Sequence, residues 1–117
     1  MAKVLIVDDD SAAREFIERA LSGDGHQVLG ACDGLEAWSL FESDGAVDLV
    51  LSDISMPGMD GVALATKILD ASPTVKVILM TGLDAQLERV DDLSGRGVVT
   101  LTKPFSLEDV RALVKGG

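Results

Sequence analysis

The stretch VLIVDDDS, Val4 to Ser11, runs four apolar residues straight into three adjacent carboxylates. Four consecutive apolar residues without alternation describe a strand buried on both faces, as in a parallel sheet. Three like charges at its end repel one another unless water, hydrogen bonds or a cation offsets them. The stretch is therefore either a solvated acidic turn or one wall of a site for something positive. The other strands decide between the two.

Short apolar runs recur at QVLGA (27–31), DLVLS (48–52), VKVILM (75–80) and VVTL (98–101). Segments with helical spacing lie between them. Ala13, Phe16, Ile17, Ala20 and Leu21 form a first apolar stripe, closed by Gly23 and Gly25. Asp33 with Glu36 reads as a capping box opening a second helix, with Ala37, Leu40 and Phe41 inward. Asp60 opens a third, carrying Leu64 and Ile68. A fourth, Asp84 to Ser94, carries Leu87, Val90 and Leu93 and ends at Gly95; a fifth starts at a Ser106 cap and carries Leu107, Val110, Leu113 and Val114. Five strands alternating with five helices predict an α/β doubly wound parallel sheet with helices on both faces.

The chain has 117 residues, enough for one domain, with 47% hydrophobic and 26% charged residues, as in an ordinary globular protein. Its net charge of −10 argues against direct nucleic-acid or anionic-membrane binding, which needs a basic patch. A single cysteine, Cys32, excludes an intramolecular disulfide and makes the cytoplasm the expected compartment. No signal-peptide pattern is present, and no apolar run approaches the ~20 residues that span a membrane.

In doubly wound sheets, ligands bind at the carboxyl ends of the strands, near the point where strand order reverses. Asp8, Asp9 and Asp10 follow the first strand, Asp53 the third, Thr81 the fourth and Lys103 the fifth. With strand order 2-1-3-4-5, strands one and three are neighbours, which gathers Asp8, Asp9 and Asp53, with Thr81 and Lys103 on the same rim. All-oxygen ligands suit a hard cation, Mg²⁺ (or Mn²⁺). A phosphoryl group arriving there would meet the cation, the Lys103 ammonium and the Thr81 hydroxyl while Asp53 attacks in line, forming an aspartyl phosphate. Asp53 needs no base, because a carboxylate is already ionised at neutral pH.

VLIVDDD, DLVLSDISMPGMDG, VILMTG and LTKPF together resemble, in order and spacing, the receiver domain of two-component response regulators. The resemblance covers Lys3 to about Val114, so residues 1–117 are expected to be a single receiver domain of flavodoxin-like fold, with no output domain in this chain. The order 2-1-3-4-5 is found in that family and is carried over with the resemblance. The resemblance implies Asp53 as phosphoacceptor, Asp9 as direct metal ligand, Asp8 acting mainly through a metal-bound water, and the Ser55 backbone carbonyl completing the set. It implies Thr81 and Lys103 on the phosphoryl oxygens and a cis Lys103–Pro104 peptide. Asp10 falls outside this set and is expected to cap the first helix.

The implied partners are a histidine kinase or a histidine phosphotransfer protein as donor, and an output domain or target protein as recipient of the signal. The chain is expected to be a monomer or a weak phosphorylation-dependent dimer. It would assist only its own phosphorylation and dephosphorylation, and so is not an ordinary enzyme. Many similar receivers carry an aromatic residue three positions before the lysine; here Thr100 stands there, and the chain has no tyrosine. The relay to the face of the fourth helix, fifth strand and fifth helix is expected to be altered accordingly. Ser55 and Leu83, two after the acceptor and two after the threonine, offer little help to an attacking water, so slow self-dephosphorylation is expected.

Two other readings compete. One is a receiver-like interaction module that takes no phosphate. The other is a haloacid dehalogenase-type phosphohydrolase, echoed by Asp8-x-Asp10, Thr81, Lys103 and Asp91–Asp92, although that acidic pair precedes the lysine and lies in a helical pattern. Of the remaining residues, Cys32 reads as a small inert hydrophobe at a strand end and His26 as a turn residue. Trp38 reads as helix packing with partial exposure, Met56 and Met59 as packing for the loop after Asp53, and Asp91–Asp92 as a solvated helix face.

Overall fold

The computed structural model describes residues 2–82, 93 and 95–115. Five strands, β1 (Lys3–Val7), β2 (Gln27–Ala31), β3 (Leu49–Asp53), β4 (Lys76–Thr81) and β5 (Val99–Thr102), pair in parallel in the order β2-β1-β3-β4-β5. Helices α1 (Ser11–Gly23), α2 (Gly34–Asp44), α3 (Gly61–Ala71) and a last helix (Leu107–Lys115) cover both faces. The α/β doubly wound, flavodoxin-like sheet expected from the sequence is the one that forms.

The unbroken apolar runs are explained by two cores, one on each side of the sheet. Leu5 and Val7 of β1 point to one side with Val50, Val77 and Leu79, beneath Ala37 of α2 and Leu64 and Ile68 of α3. Val4 and Ile6 point to the other with Leu51, Ile78 and Met80, beneath Ile17 and Leu21 of α1 and Val110 and Val114 of the last helix. Successive strand residues alternate faces, so a strand covered twice must be apolar throughout. Each such fully buried side chain contributes roughly 1.5–3 kcal/mol.

Several boundaries move relative to the sequence reading. The hydropathy of the third, fourth and fifth runs stops at a polar residue, but the ladders continue one residue further. Asp53 pairs with Met80, and Thr81 with Thr102, so Asp53 and Thr81 are the last residues of their strands rather than loop residues. Backbone ladders do not depend on the polarity of the side chain they carry.

The helices begin as expected. Asp10 accepts from the Ala12 and Ala13 N–H groups, Asp33 from Glu36 N–H and Asp60 from Ala63 N–H. Ser106 and Asp109 form a reciprocal capping box, 3.2 and 3.0 Å. The box expected at Asp33 is half made: the Glu36 carboxylate accepts instead from the Cys32 thiol at 3.3 Å.

Phe16 is not in the α1 stripe: it is 60% exposed. At 100° per residue it lies about 90° round the helix from the centre of the face formed by Ile17, Ala20 and Leu21. Cys32 is exposed rather than packed, and hydrogen bonding to Glu36, with Asp33 nearby, pushes its thiol pKa up. Trp38 is half-buried, stacked on Phe41 at 5.8 Å with the Lys67 ammonium over its ring. His26 accepts from Ala2 N–H, Met56 is buried, and Met59 packs partly against the core. Leu93 of the fourth helical segment is buried, while Leu83, Leu87, Val90 and Asp91–Asp92 lie outside the described residues.

Candidate metal and phosphoryl site

Because β1 and β3 are neighbours, with Val7 beside Ser52, the next residues of each strand meet at the carboxyl edge. Asp8, Asp9 and Asp53 each place a carboxylate oxygen within 4.8 Å of the others. From β5, Lys103 Nζ reaches Asp53 Oδ2 at 3.1 Å. Thr81, 1% exposed, stands at the end of β4, and its carbonyl accepts the Lys103 N–H at 2.7 Å. The Lys103–Pro104 peptide is cis. Four strand ends, spread along the chain from Asp8 to Lys103, thus supply one cluster, and the strand order brings them together.

The environments of the three carboxylates differ. Asp8 is 2% exposed and Asp53 9%, whereas Asp9 is exposed. Burial pushes the Asp8 carboxyl above the ordinary aspartate value, and the charges of Asp53 and Asp9 push the same way. The Asp10 backbone N–H, 2.9 Å from Asp8 Oδ1, and the Lys103 ammonium pull against them. Among the described residues, three carboxylates converge beside one ammonium, which leaves negative charge in place. Donors that are all oxygen, convergent and underneutralised fit a hard divalent cation. Asp9 also borders an open hollow of about 460 Å³ lined by Ile54, Ser55, Met56, Pro57 and Asp60. That hollow brings the loop after Asp53, including Ser55, to the edge of the cluster.

Sequence reasoning gave no role to Gly61, the first residue of α3. A Cβ there would stand 2.3 Å from the Asp53 carbonyl oxygen and 2.8 Å from Ile54 Cα, so α3 packs directly on the backbone that carries Asp53. The Gly61 N–H also donates to the Ile54 carbonyl at 2.9 Å. The pair Asp60–Gly61, a helix cap followed by a residue without a side chain, was the available signal. Thr100 sits exposed on β5 opposite Leu79, away from the cluster's buried carboxylates.

An open parallel sheet in the order β2-β1-β3-β4-β5, with an acidic cluster at its switch point, places the protein in the flavodoxin-like fold class. Residues 4–115 match the family model for the response regulator receiver domain. Response regulators MprA of Mycolicibacterium vanbaalenii and Mycobacterium tuberculosis are each 36% identical over 113 residues, which is 97% of this chain and 48% and 49% of theirs. The chain therefore spans about half the length of the curated relatives it matches. Among solved structures, a receiver domain protein from Clostridium thermocellum superposes with a TM-score of 0.90 at 29% identity, covering 99% of this chain and 93% of that one. The receiver domain of the hybrid histidine kinase CckA gives 0.82 at 33% identity, covering 97% and 96%. This chain belongs to the response regulator receiver domain family, the domain type of two-component signalling.

Proposed function

We propose that Asp53 accepts a phosphoryl group from a phosphohistidine donor and that the modification switches the domain. The observation that carries this reading is the contact between Lys103 Nζ and Asp53 Oδ2, 3.1 Å, at the rim shared with Asp8, Asp9 and Thr81. In the transfer, an Asp53 carboxylate oxygen forms the new bond to phosphorus while the bond from phosphorus to the donor's imidazole nitrogen breaks. The imidazole keeps the electron pair and later takes a proton from water. Lys103 loses its carboxylate partner as that oxygen becomes an acyl phosphate and follows the charge onto the phosphoryl oxygens. Thr81, fixed at a strand end, supplies a hydroxyl to the same group. Asp8, Asp9, Asp53 and the Ser55 carbonyl would hold Mg²⁺ (or Mn²⁺), which neutralises phosphoryl charge when bound.

Phosphorylation adds close to two negative charges beside Lys103. The expected consequence is a shift in the equilibrium of the face formed by β5 and the last helix. With Thr100 in place of an aromatic side chain, that shift proceeds without a ring moving inward. The chain acts on itself once per donor, with a histidine kinase or phosphotransfer protein as partner, and turns over no separate substrate. The exposed Phe16 on α1, the helix that starts beside the acidic cluster, offers such a partner an apolar contact.

Intact mass after incubation with Mg²⁺ and acetyl phosphate tests the proposal. One added phosphoryl group, lost with EDTA and in Asp53→Asn, is the expected result. If a folded protein gains no mass and also fails to bind beryllofluoride with Mg²⁺, the domain is a silent interaction module.

A further inference from the structure

We infer that Arg14 is a positioning residue for the cation site, acting through the peptide that joins Asp8 to Asp9; the inference rests on the phosphoryl-switch reading above. Asp8 lies one residue beyond β1, past the Val7–Ser52 pair that ends the ladder with β3. Its N–H is fixed by the Ala31 carbonyl of β2 at 3.1 Å, and its Oδ1 accepts the Asp10 N–H at 2.9 Å. Its own carbonyl receives Arg14 Nη1 at 2.8 Å. That carbonyl belongs to the Asp8–Asp9 peptide, which is planar. Holding its oxygen therefore fixes the plane from which both carboxylates depart.

The guanidinium is itself held in place. Arg14 Nε lies 3.4 Å from Glu18 Oε1, one helical turn on, with both side chains largely covered. The Glu18 carboxylate lies over Gly30 of β2, where a Cβ would stand 2.1 Å from Oε1 and 3.5 Å from Arg14 Cδ. The pair thus rests against the one residue of β2 that has no side chain. A rigid path runs from β2 through Glu18 and Arg14 to the Asp8 carbonyl, and a charge-assisted bond closes it. Groups that orient metal ligands from behind commonly change metal affinity about 10- to 100-fold when removed.

The test is Mg²⁺ titration of the metal-free protein by calorimetry, with thermal melts of each variant in EDTA. Arg14→Met is expected to weaken Mg²⁺ binding about 10-fold, and Arg14→Lys to recover most of it, because an ammonium can still donate to the Asp8 carbonyl. Glu18→Gln should weaken binding about 2-fold, the scale of one i,i+4 pair. Unchanged Mg²⁺ affinity in Arg14→Met overturns the inference. So does a loss that Arg14→Lys shares in full and that follows the EDTA melting temperature, which marks a merely structural residue. Should Arg14→Met fail to fold, Arg14→Lys and Glu18→Gln decide: native affinity in the first with none lost in the second overturns it. A wild-type protein that binds no Mg²⁺ overturns the phosphoryl-switch reading instead, an outcome separate from all of these.

Discussion

The two ends of the sheet handle charge in opposite ways. At the amino ends of the strands, several charges among the described residues find partners within the protein. Lys3 pairs with Asp44, and its N–H bonds Asp48; Arg111 of the last helix pairs with Asp24 at the end of α1; the Lys76 ammonium donates to the Leu113 carbonyl. At the carboxyl ends, Asp8, Asp9 and Asp53 converge, and among them the Lys103 ammonium contacts Asp53. The same strands run between both ends, so the contrast does not come from the fold. The amino end meets these charges from within the protein, whereas the carboxyl end gathers more carboxylate charge than the Lys103 ammonium offsets.

The sharpest break in this comparison is Asp53→Asn, which should abolish phosphoryl gain by mass while leaving the far-UV circular dichroism unchanged. Next is Lys103→Met. Removing one preorganised donor to developing charge costs on the order of 100-fold in rate. Stopped-flow measurement of phosphorylation by acetyl phosphate, with Arg111→Met as the amino-end control at native rate, would show whether ammonium groups at the two ends differ in kind. Equal rates in both variants would erase the distinction.

Gly61→Ala probes the backbone under the site. Overpacking of this kind costs about 2 kcal/mol in urea unfolding, and the displaced Asp53 should bind Mg²⁺ less tightly in proportion. Native stability in this variant would mean that α3 yields easily and does not hold Asp53.

The pH response separates the ends by sign. Asp8 titrates above its unfolded value mainly because it is buried, so its charge costs stability at neutral pH, and the cost disappears as pH falls from its folded pKa towards 3.8. Asp44 titrates below its unfolded value, chiefly through its hydrogen bond with Lys3; its contribution is present above 3.8 and is lost as pH falls through the folded value. Asp8→Asn should therefore raise the melting temperature in EDTA at pH 7 and lose that advantage in saturating Mg²⁺, where the wild type gains the binding energy. Asp44→Asn should lower it in both. A metal-free Asp8→Asn protein that melts below wild type would contradict the burial account.

The smallest effect is expected at Arg111–Asp24, a pair with both side chains more than a third exposed. Asp24→Asn should change stability by about 0–1 kcal/mol and Mg²⁺ affinity not at all.

The alternation of strands and helices, the doubly wound class and the residues of the acidic rim were all legible along the chain. Each rests on local chemistry: unbroken apolar runs, caps such as Asp10 and Asp60, and polar residues where a run stops. The sequence misplaced Phe16 because a stripe five residues long has flanks as well as a centre, and only packing against the sheet distinguishes them. It treated Asp53 and Thr81 as following their strands because hydropathy ends where polarity begins, while the ladder ends where the neighbour's backbone does. The contacts of Arg14 with the Asp8 carbonyl and of Gly61 with the Asp53 backbone come from tertiary packing. Arg14 acts through a carbonyl and leaves no pattern along the chain, while Gly61 acts through the absence of a Cβ and leaves only the Asp60–Gly61 pair as a signal. Contacts made to backbone atoms of distant residues exist only once the sheet has brought them together.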